Sequence, residues 1–294
     1  MIGMNSQSHI KHEMFDQLGM MCVARACNFL RPGIDRVLIP DMTAGDAHGA
    51  KARQPDFFRG EESRATPLVA IEAAAKFARR GISCDLLLFE KSRAAREALI
   101  KLFTEEEISA HVGRNHNALL NWPVPFASYA YALVFNDPNG PAGHGDEVLV
   151  RIAQGIPKAD FLIVVNESAC DRVNGVTGKS IDPNAPAWAR SGPEAAEAVK
   201  RRHLWRLHPL EWARRLGRSY VLQSKFTVGS NAMKGRILLV TNAPPQRTPH
   251  NFTCLAIGAG MARLGSAQSA SRQSEAQRAE RRHRGDHGRA RLRF

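Results

Sequence analysis

The chain has 294 residues, 44% of them hydrophobic and 23% charged, an ordinary balance for a folded protein with room for one large α/β domain or two small ones. Its net charge of +13 favours an anionic partner, nucleic acid before any other, though basic enzymes that bind none are common. The five cysteines are scattered, odd in number and without a C-x-x-C pair, which argues against a disulfide framework or a zinc site and for a reducing cytoplasm; no secretory signal and no membrane-length apolar run is visible.

In chain order, the stretch 9–30 carries Ile10, Met14, Leu18 and Met21 at helical spacing and stops at Pro32-Gly33, so it predicts a helix packed on a sheet. Val37 to Asp41 follows as a short, fully buried strand that ends in a carboxylate. It runs into Met42-Thr43-Ala44-Gly45-Asp46, where Gly45 lets the backbone approach a ligand and Asp41 or Asp46 can accept hydrogen bonds from it. In open α/β sheets ligands bind outside the carboxyl ends of the strands, where the strand order reverses. The pattern is neither G-x-G-x-x-G nor followed by G-K-[ST], so a pyrophosphate cradle is disfavoured and a nucleoside without phosphates fits better. An ordinary strand-to-loop turn is the competing reading of the same residues.

Residues 50–63 read as a loop close to that ligand. Thr66 is a fitting N-cap before Pro67, and the helix it starts shows Leu68, Ile71, Ala75 and Ala78 on one face before Gly81. Leu86 to Glu90 is a second buried strand with an acidic end, and Ser92 caps a helix whose stripe is Ala95, Leu99 and Leu102. Ile108 to Val112 is a weaker third strand that leads into the polar turn 113–117. Tyr131 to Asp137 is the fourth strand, closed by Pro138-Asn139-Gly140. A helix over Asp146–Gln154 and a fifth strand, Asp160–Asn166, complete the alternating part. Strand–helix alternation predicts βαβ units in a mostly parallel sheet.

The rhythm then changes. Residues 168–193 read as a substrate-side insertion, followed by helical segments over Glu194–Arg202 and Pro209–Leu216. Ser219–Phe226 and Gly235–Thr241 form an antiparallel hairpin. Domain boundaries follow: one α/β domain over 1–262, then a disordered arginine-rich tail over 263–294 without apolar periodicity. That tail holds nine arginines against Glu275, Glu280 and Asp286, so it carries +6 of the net charge. The segment Arg201, Arg202, His203, Trp205, Arg206, Trp212, Arg214, Arg215 interleaves bases with aromatics; it suits a phosphate backbone and stacked bases, or else a helix with a buried Trp and solvated arginines.

Five βα steps closed by a hairpin, with these motifs at the strand ends, resemble class I S-adenosylmethionine-dependent methyltransferases. The resemblance implies a Rossmann-like, mostly parallel sheet of about seven strands with helices on both faces, and S-adenosyl-L-methionine as cofactor. On the matching positions it implies cofactor contacts from Asp41, Thr43, Gly45 and Asp46, a ribose contact from Glu90, and an adenine contact from Asn115 or His116. Asn136 and Asp137 fall at the fourth-strand motif that faces methyl donor and acceptor, with Asn139, His144, Arg201, Arg202 and Trp205 on the substrate side. More narrowly, the Ala44-Gly45-Asp46 start, the stretch from Thr66 to Glu72 and the Asp137-Pro138-Asn139-Gly140 turn look like the bacterial three-Cys-motif partner proteins.

The sequence departs from the family in three ways. Ala47 stands where the first motif has its second glycine, the distance from Gly45 to Glu90 is stretched by the 50–63 loop, and the fourth motif lacks the second proline and aromatic of D-P-P-[YF]. These departures keep two alternatives beside the enzyme: an idle methyltransferase-like module that binds a protein or nucleic acid, and a Rossmann-type enzyme with another nucleotide cofactor.

Overall fold

Val37, Leu38 and Ile39 have no exposed surface in the computed structural model, because helices cover both faces of the strand that carries them. The structure describes residues 6–45, 66–105, 108–138, 144–173, 205–228, 233–243 and 252–257. That strand, β1 (Arg36–Asp41), follows helix α1 (Ser6–Ala26) and precedes α2 (Thr66–Ala78), β2 (Ser83–Phe89), α3 (Arg93–Glu105) and β3 (Ala110–Gly113). Two 3₁₀ turns, His116–Asn121 and Phe126–Ser128, lead to β4 (Tyr131–Asn136), α4 (Asp146–Gly155), β5 (Ala159–Asn166) and α5 (Glu167–Val173). After a further 3₁₀ turn, Trp205–Leu207, come α6 (Pro209–Arg215), β6 (Tyr220–Val228), β7 (Met233–Thr241) and β8 (Thr253–Ala256).

Among the described residues the strands form one eight-stranded sheet in the order β3-β2-β1-β4-β5-β7-β6-β8. Strands β1 to β5 are parallel, β7 lies antiparallel between β5 and β6, and β8 runs antiparallel along β6. The order reverses between β1 and β4, so the crevice outside their carboxyl ends is where such a sheet takes a ligand. The α/β class, the parallel core and the hairpin are as the sequence predicts. The eighth strand is not, since four residues give too short an alternation to read.

Period-two alternation divides the core. Val37, Ile39, Leu133 and Phe135 face the side covered by α1, α2 and α3, where Phe15, Val69 and Leu102 meet them. Leu38, Val134, Ile163 and Leu238 face the other side, covered by α4 and α6 through Leu149, Ile152 and Trp212. At the opposite end from the crevice, Asp160 accepts hydrogen bonds from Tyr131 (2.7 Å) and Thr241 (2.6 Å) and an ion pair from Arg25. These contacts tie α1 to β4, β5 and β7.

Helix α1 ends at Ala26, four residues earlier than its apolar spacing suggests, in a turn where the Leu30 N–H still bonds to the Ala26 carbonyl. The segment expected as a loop from residue 168 begins helically, because the Asn166 side chain accepts the Ala169 N–H at 2.9 Å and Glu167 pairs with Arg236. The loop 50–63, the rest of the 168–193 insertion, the segment 194–202 and the tail 263–294 lie outside the described residues, as do both proposed domain limits. No helix among the described residues is long and apolar enough to cross a membrane.

Candidate functional site

Asp41 ends β1 on the crevice and is 1% exposed. Its Oδ1 accepts the Thr43 N–H at 3.1 Å, which closes a local turn, whereas its Oδ2 is buried with no hydrogen-bond partner among the described residues. Burial pushes this carboxyl up to about 7, against the pull of the Thr43 N–H and the Thr66 side chain at the start of α2, and the nearby charges of Asp137 and Glu90 push the same way. A buried acceptor without a donor is costly, and an amine or hydroxyl arriving in the crevice would relieve it.

The segment after Asp41 is fastened on both sides. The Met42 N–H donates to the Phe135 carbonyl of β4 at 2.9 Å, and the Ala44 N–H to the Phe89 carbonyl of β2 at 3.0 Å. Thr43 Oγ1 accepts the Asp137 N–H at 2.8 Å. Gly45 adopts φ +68° with no atom of the described residues within 4 Å of a Cβ built on it, and its N–H donates to Glu90 Oε2 at 3.0 Å. Gly45 therefore supplies a turn that side-chain residues resist and leaves open space above the backbone. Glu90 spends its other oxygen on the Ser92 N–H at 2.7 Å, while Ser92 Oγ accepts the Ala95 N–H to cap α3.

On the opposite face, Asn136 is fully buried at the end of β4. Its Nδ2 donates to the His144 carbonyl at 2.9 Å and its Oδ1 has no partner. Asp41 and Asn136 thus stand at neighbouring strand ends but on different faces, Asp41 towards α2 and Asn136 towards α4. Near Asn136, the His144 ring meets Trp212 at a tilt of 56° with centroids 5.2 Å apart, and Arg206 pairs with Asp146 at the start of α4. His116 Nδ1 lies 3.3 Å from the Met42 carbonyl, which can only accept, so Nδ1 is the protonated nitrogen in this contact. Burial lowers the His116 pKa and the charge of Lys91 adds to this, while the bond to Met42 opposes it.

The structure therefore brings Asp41, Thr43, Gly45, Glu90 and Asp137 to the same set of strand ends, with Asn136 buried on the other face of the sheet there. Asn115 caps the 3₁₀ turn after β3, its Oδ1 accepting the Asn117 N–H at 3.0 Å, so local structure accounts for that acceptor. Asp46, Asn139, Arg201 and Arg202 lie outside the described residues, as does the side chain of Trp205. The basic–aromatic segment resolves towards its core reading in part. Trp212 is buried and donates to the Arg206 carbonyl at 3.0 Å, Arg206 is 4% exposed, and Arg214 and Arg215 both bind Glu211. Sequence reasoning treats Thr66 only as a cap and misses that it faces Asp41; no local signal carries that, because the two meet across the 50–63 loop. Among the described residues no cluster of metal-ligating side chains occurs.

The cofactor named by the sequence resemblance can be tested on these residues. Asp41 Oδ2 offers an unpaired buried acceptor suited to an amino group, Gly45 leaves room for close approach, and Glu90 presents a carboxylate at the end of β2. Two carboxylates at these strand ends fit a nucleoside that brings amine and hydroxyl donors, and would repel a phosphate.

No family model and no curated protein matches the chain. Solved structures do. A protein from Legionella pneumophila strain Philadelphia 1 is similar over 87% of this chain and 98% of its own, at 11% identity and a TM-score of 0.48. The O-methyltransferase TomG from Streptomyces achromogenes, involved in tomaymycin synthesis and solved with S-adenosylmethionine, is similar over 81% of this chain and 89% of its own, at 19% identity and a TM-score of 0.38. A third, the plantazolicin methyltransferase BamL in complex with a desmethyl analogue and S-adenosylhomocysteine, is similar over 81% and 87% at 10% identity and a TM-score of 0.41. Likeness at this level adds nothing to the topology already described.

Proposed function

We propose that the chain is an S-adenosylmethionine-dependent methyltransferase that acts on nucleic acid. One observation carries the reading: the buried Asp41 carboxylate, at the strand-order reversal, keeps one oxygen unpartnered beside the open turn at Gly45. Asp41 would hold the amino group of the cofactor and Glu90 its ribose hydroxyls, with Gly45 giving clearance. When bound, that cofactor supplies a methyl group already activated on a sulfonium, so the chain has mainly to align an acceptor and keep water out. Asp137, whose N–H is held by Thr43 at the end of β4, would orient the acceptor or take its proton. Asn136 supports that end of β4 by holding the His144 carbonyl.

The nucleic-acid part rests on the basic body, which carries +7, and on the arginine-rich tail. A protein partner and the narrower kinship with three-Cys-motif partner proteins rest on the Thr66–Glu72 and Asp137–Gly140 stretches alone. One structural fact favours the idle-module alternative: both oxygens of Glu90 already bind N–H groups of the chain itself.

Calorimetric titration with S-adenosylhomocysteine and with NAD, followed by methyl-transfer assays on DNA, RNA and protein, separates the readings. The enzyme reading expects binding of the first ligand only, turnover on a nucleic acid, and loss of most turnover in Asp137→Asn with binding retained, since general-base help is worth about 10²–10⁴-fold. Binding without turnover on any substrate supports the idle module, and binding of NAD instead supports another nucleotide enzyme.

A further inference from the structure

The two edges of the sheet are β3 and β8. Strand β3 pairs only with β2, through Ala110 to Gly113, so one row of its backbone groups has no strand beyond it among the described residues. Beside it, between α3 and β3, opens a groove of about 490 Å³ lined by Ile100, Phe103, Thr104, Ile108, Ala110 and Val112. Ile100 is 51% exposed there. A bare edge flanked by an apolar groove is a template for strand addition, in which main-chain bonds give affinity and alternate side chains give specificity.

The same chain carries a segment that fits. Arg289-Ala290-Arg291-Leu292-Arg293-Phe294 alternates base and apolar residue without a break, the period of a strand with one apolar face. The tail as a whole has no apolar stripe; this pattern is confined to its last six residues. Laid along β3, the segment puts Ala290, Leu292 and Phe294 on the α3 side, over Ile100 and Phe103. Its arginines then fall on the other face, beside the rings of His111 and Trp122, which meet at 5.3 Å and offer π-faces to a guanidinium. Glu105, exposed at the end of α3, pairs with Lys101 at 3.7 Å, and Glu106 and Glu107 follow it in sequence.

The tether is long enough. Eight strands at about 4.8 Å spacing put the β8 edge some 34 Å from β3. The 31 residues between Ile257 and Arg289, as a flexible coil, have a root-mean-square reach of about 30 Å.

We propose that Arg289–Phe294 of the same chain adds to β3 as a further strand, with Leu292 and Phe294 filling the groove between α3 and β3. The inference is independent of what the β1–β4 crevice binds.

Hydrogen exchange on the full chain tests it, with mass measured in solution alongside. The amides of Ala110 and Val112, which face the bare edge because the Gly113 carbonyl faces β2 and accepts the Glu90 N–H, should be protected in the wild type. They should exchange at least about tenfold faster in Leu292→Ser/Phe294→Ser and in Ile100→Glu, because each variant removes apolar burial from the groove. The tail variant changes no residue of the described sheet, and Ile100 is a surface position. Equal exchange in wild type and both variants would overturn the proposal. Protection retained in the Ser variant, whose arginines remain, would overturn strand addition in favour of charge alone. Protection that grows with protein concentration while the mass doubles would assign the edge to a second copy and overturn docking within one chain.

Discussion

The hydroxyl of Thr43 accepts the backbone N–H of Asp137 at 2.8 Å, so one side chain holds together the two loops that leave β1 and β4. Those strands flank the point where the sheet order reverses, and the bond fixes the width of the crevice between them. Thr43→Ala should lower stability by about 0.5–1.5 kcal/mol, the worth of one such bond, and weaken ligand binding with it. Thr43→Ser, which keeps the hydroxyl, should restore both. Denaturant melts and titration calorimetry on the pair check this; a Ser variant as impaired as Ala would remove the bond from the account.

Asp41 makes stability depend on pH in a defined direction. Burial raises its folded-state pKa to about 7, while in the unfolded chain an aspartate titrates near about 4. The native state therefore binds this proton more tightly than the unfolded state. The stabilisation is full below about pH 4 and is lost as pH rises to about 7. The gap between the folded and unfolded values corresponds to on the order of 4 kcal/mol. Asp41→Asn should flatten the decline between those limits and leave the variant more stable than wild type above pH 7, read as the difference between two stability–pH curves.

Glu90 joins Gly45 to the start of α3. Glu90→Ala should cut affinity for S-adenosylhomocysteine by an amount equivalent to about 1–3 kcal/mol, because a buried hydroxyl and the Gly45 N–H both lose their acceptor. Equal affinity in wild type and variant would take Glu90 out of the site and leave it as a loop fastener.

Gly145 sits at φ +62°, and a Cβ there would lie 2.6 Å from His116 Nε2 and 3.1 Å from Met42 Cε. Gly145→Ala should destabilise by about 1–3 kcal/mol through strain and crowding together. His116→Ala in the same chain should recover the crowding part only. A double-mutant cycle in chemical denaturation separates the two parts, and simple additivity would mean that the His116 ring moves aside.

Much of this is legible in the sequence because it is local. Buried strands such as Val37–Asp41 and Leu86–Glu90 announce themselves as apolar runs with acidic ends, and Ser92 and Pro67 mark helix starts. The crevice is legible as a set of strand ends, since Asp41, Glu90 and Asp137 each close an apolar run. What escapes depends on distant partners. Thr66 meets Asp41 across a long loop, Arg206 forms an ion pair with Asp146, and β8 takes its place by pairing with the distant β6. Asn115 reads as a ligand contact, but its Oδ1 closes its own turn at Asn117, a use that any asparagine in that position can have.

The central claim is that the unpaired oxygen of Asp41 receives the amino group of an S-adenosyl ligand. Calorimetric titration with S-adenosylhomocysteine at pH 6.5, in two buffers of different ionisation heat, measures binding and proton release together. An ammonium group beside Asp41 favours its charged form, so the wild type should bind one ligand and release a fraction of a proton. Asp41→Asn should stay folded, bind at least about tenfold more weakly, as expected for a lost bond to a charged group, and release none. Binding of equal strength in the two proteins, or no binding by the wild type, would contradict the claim.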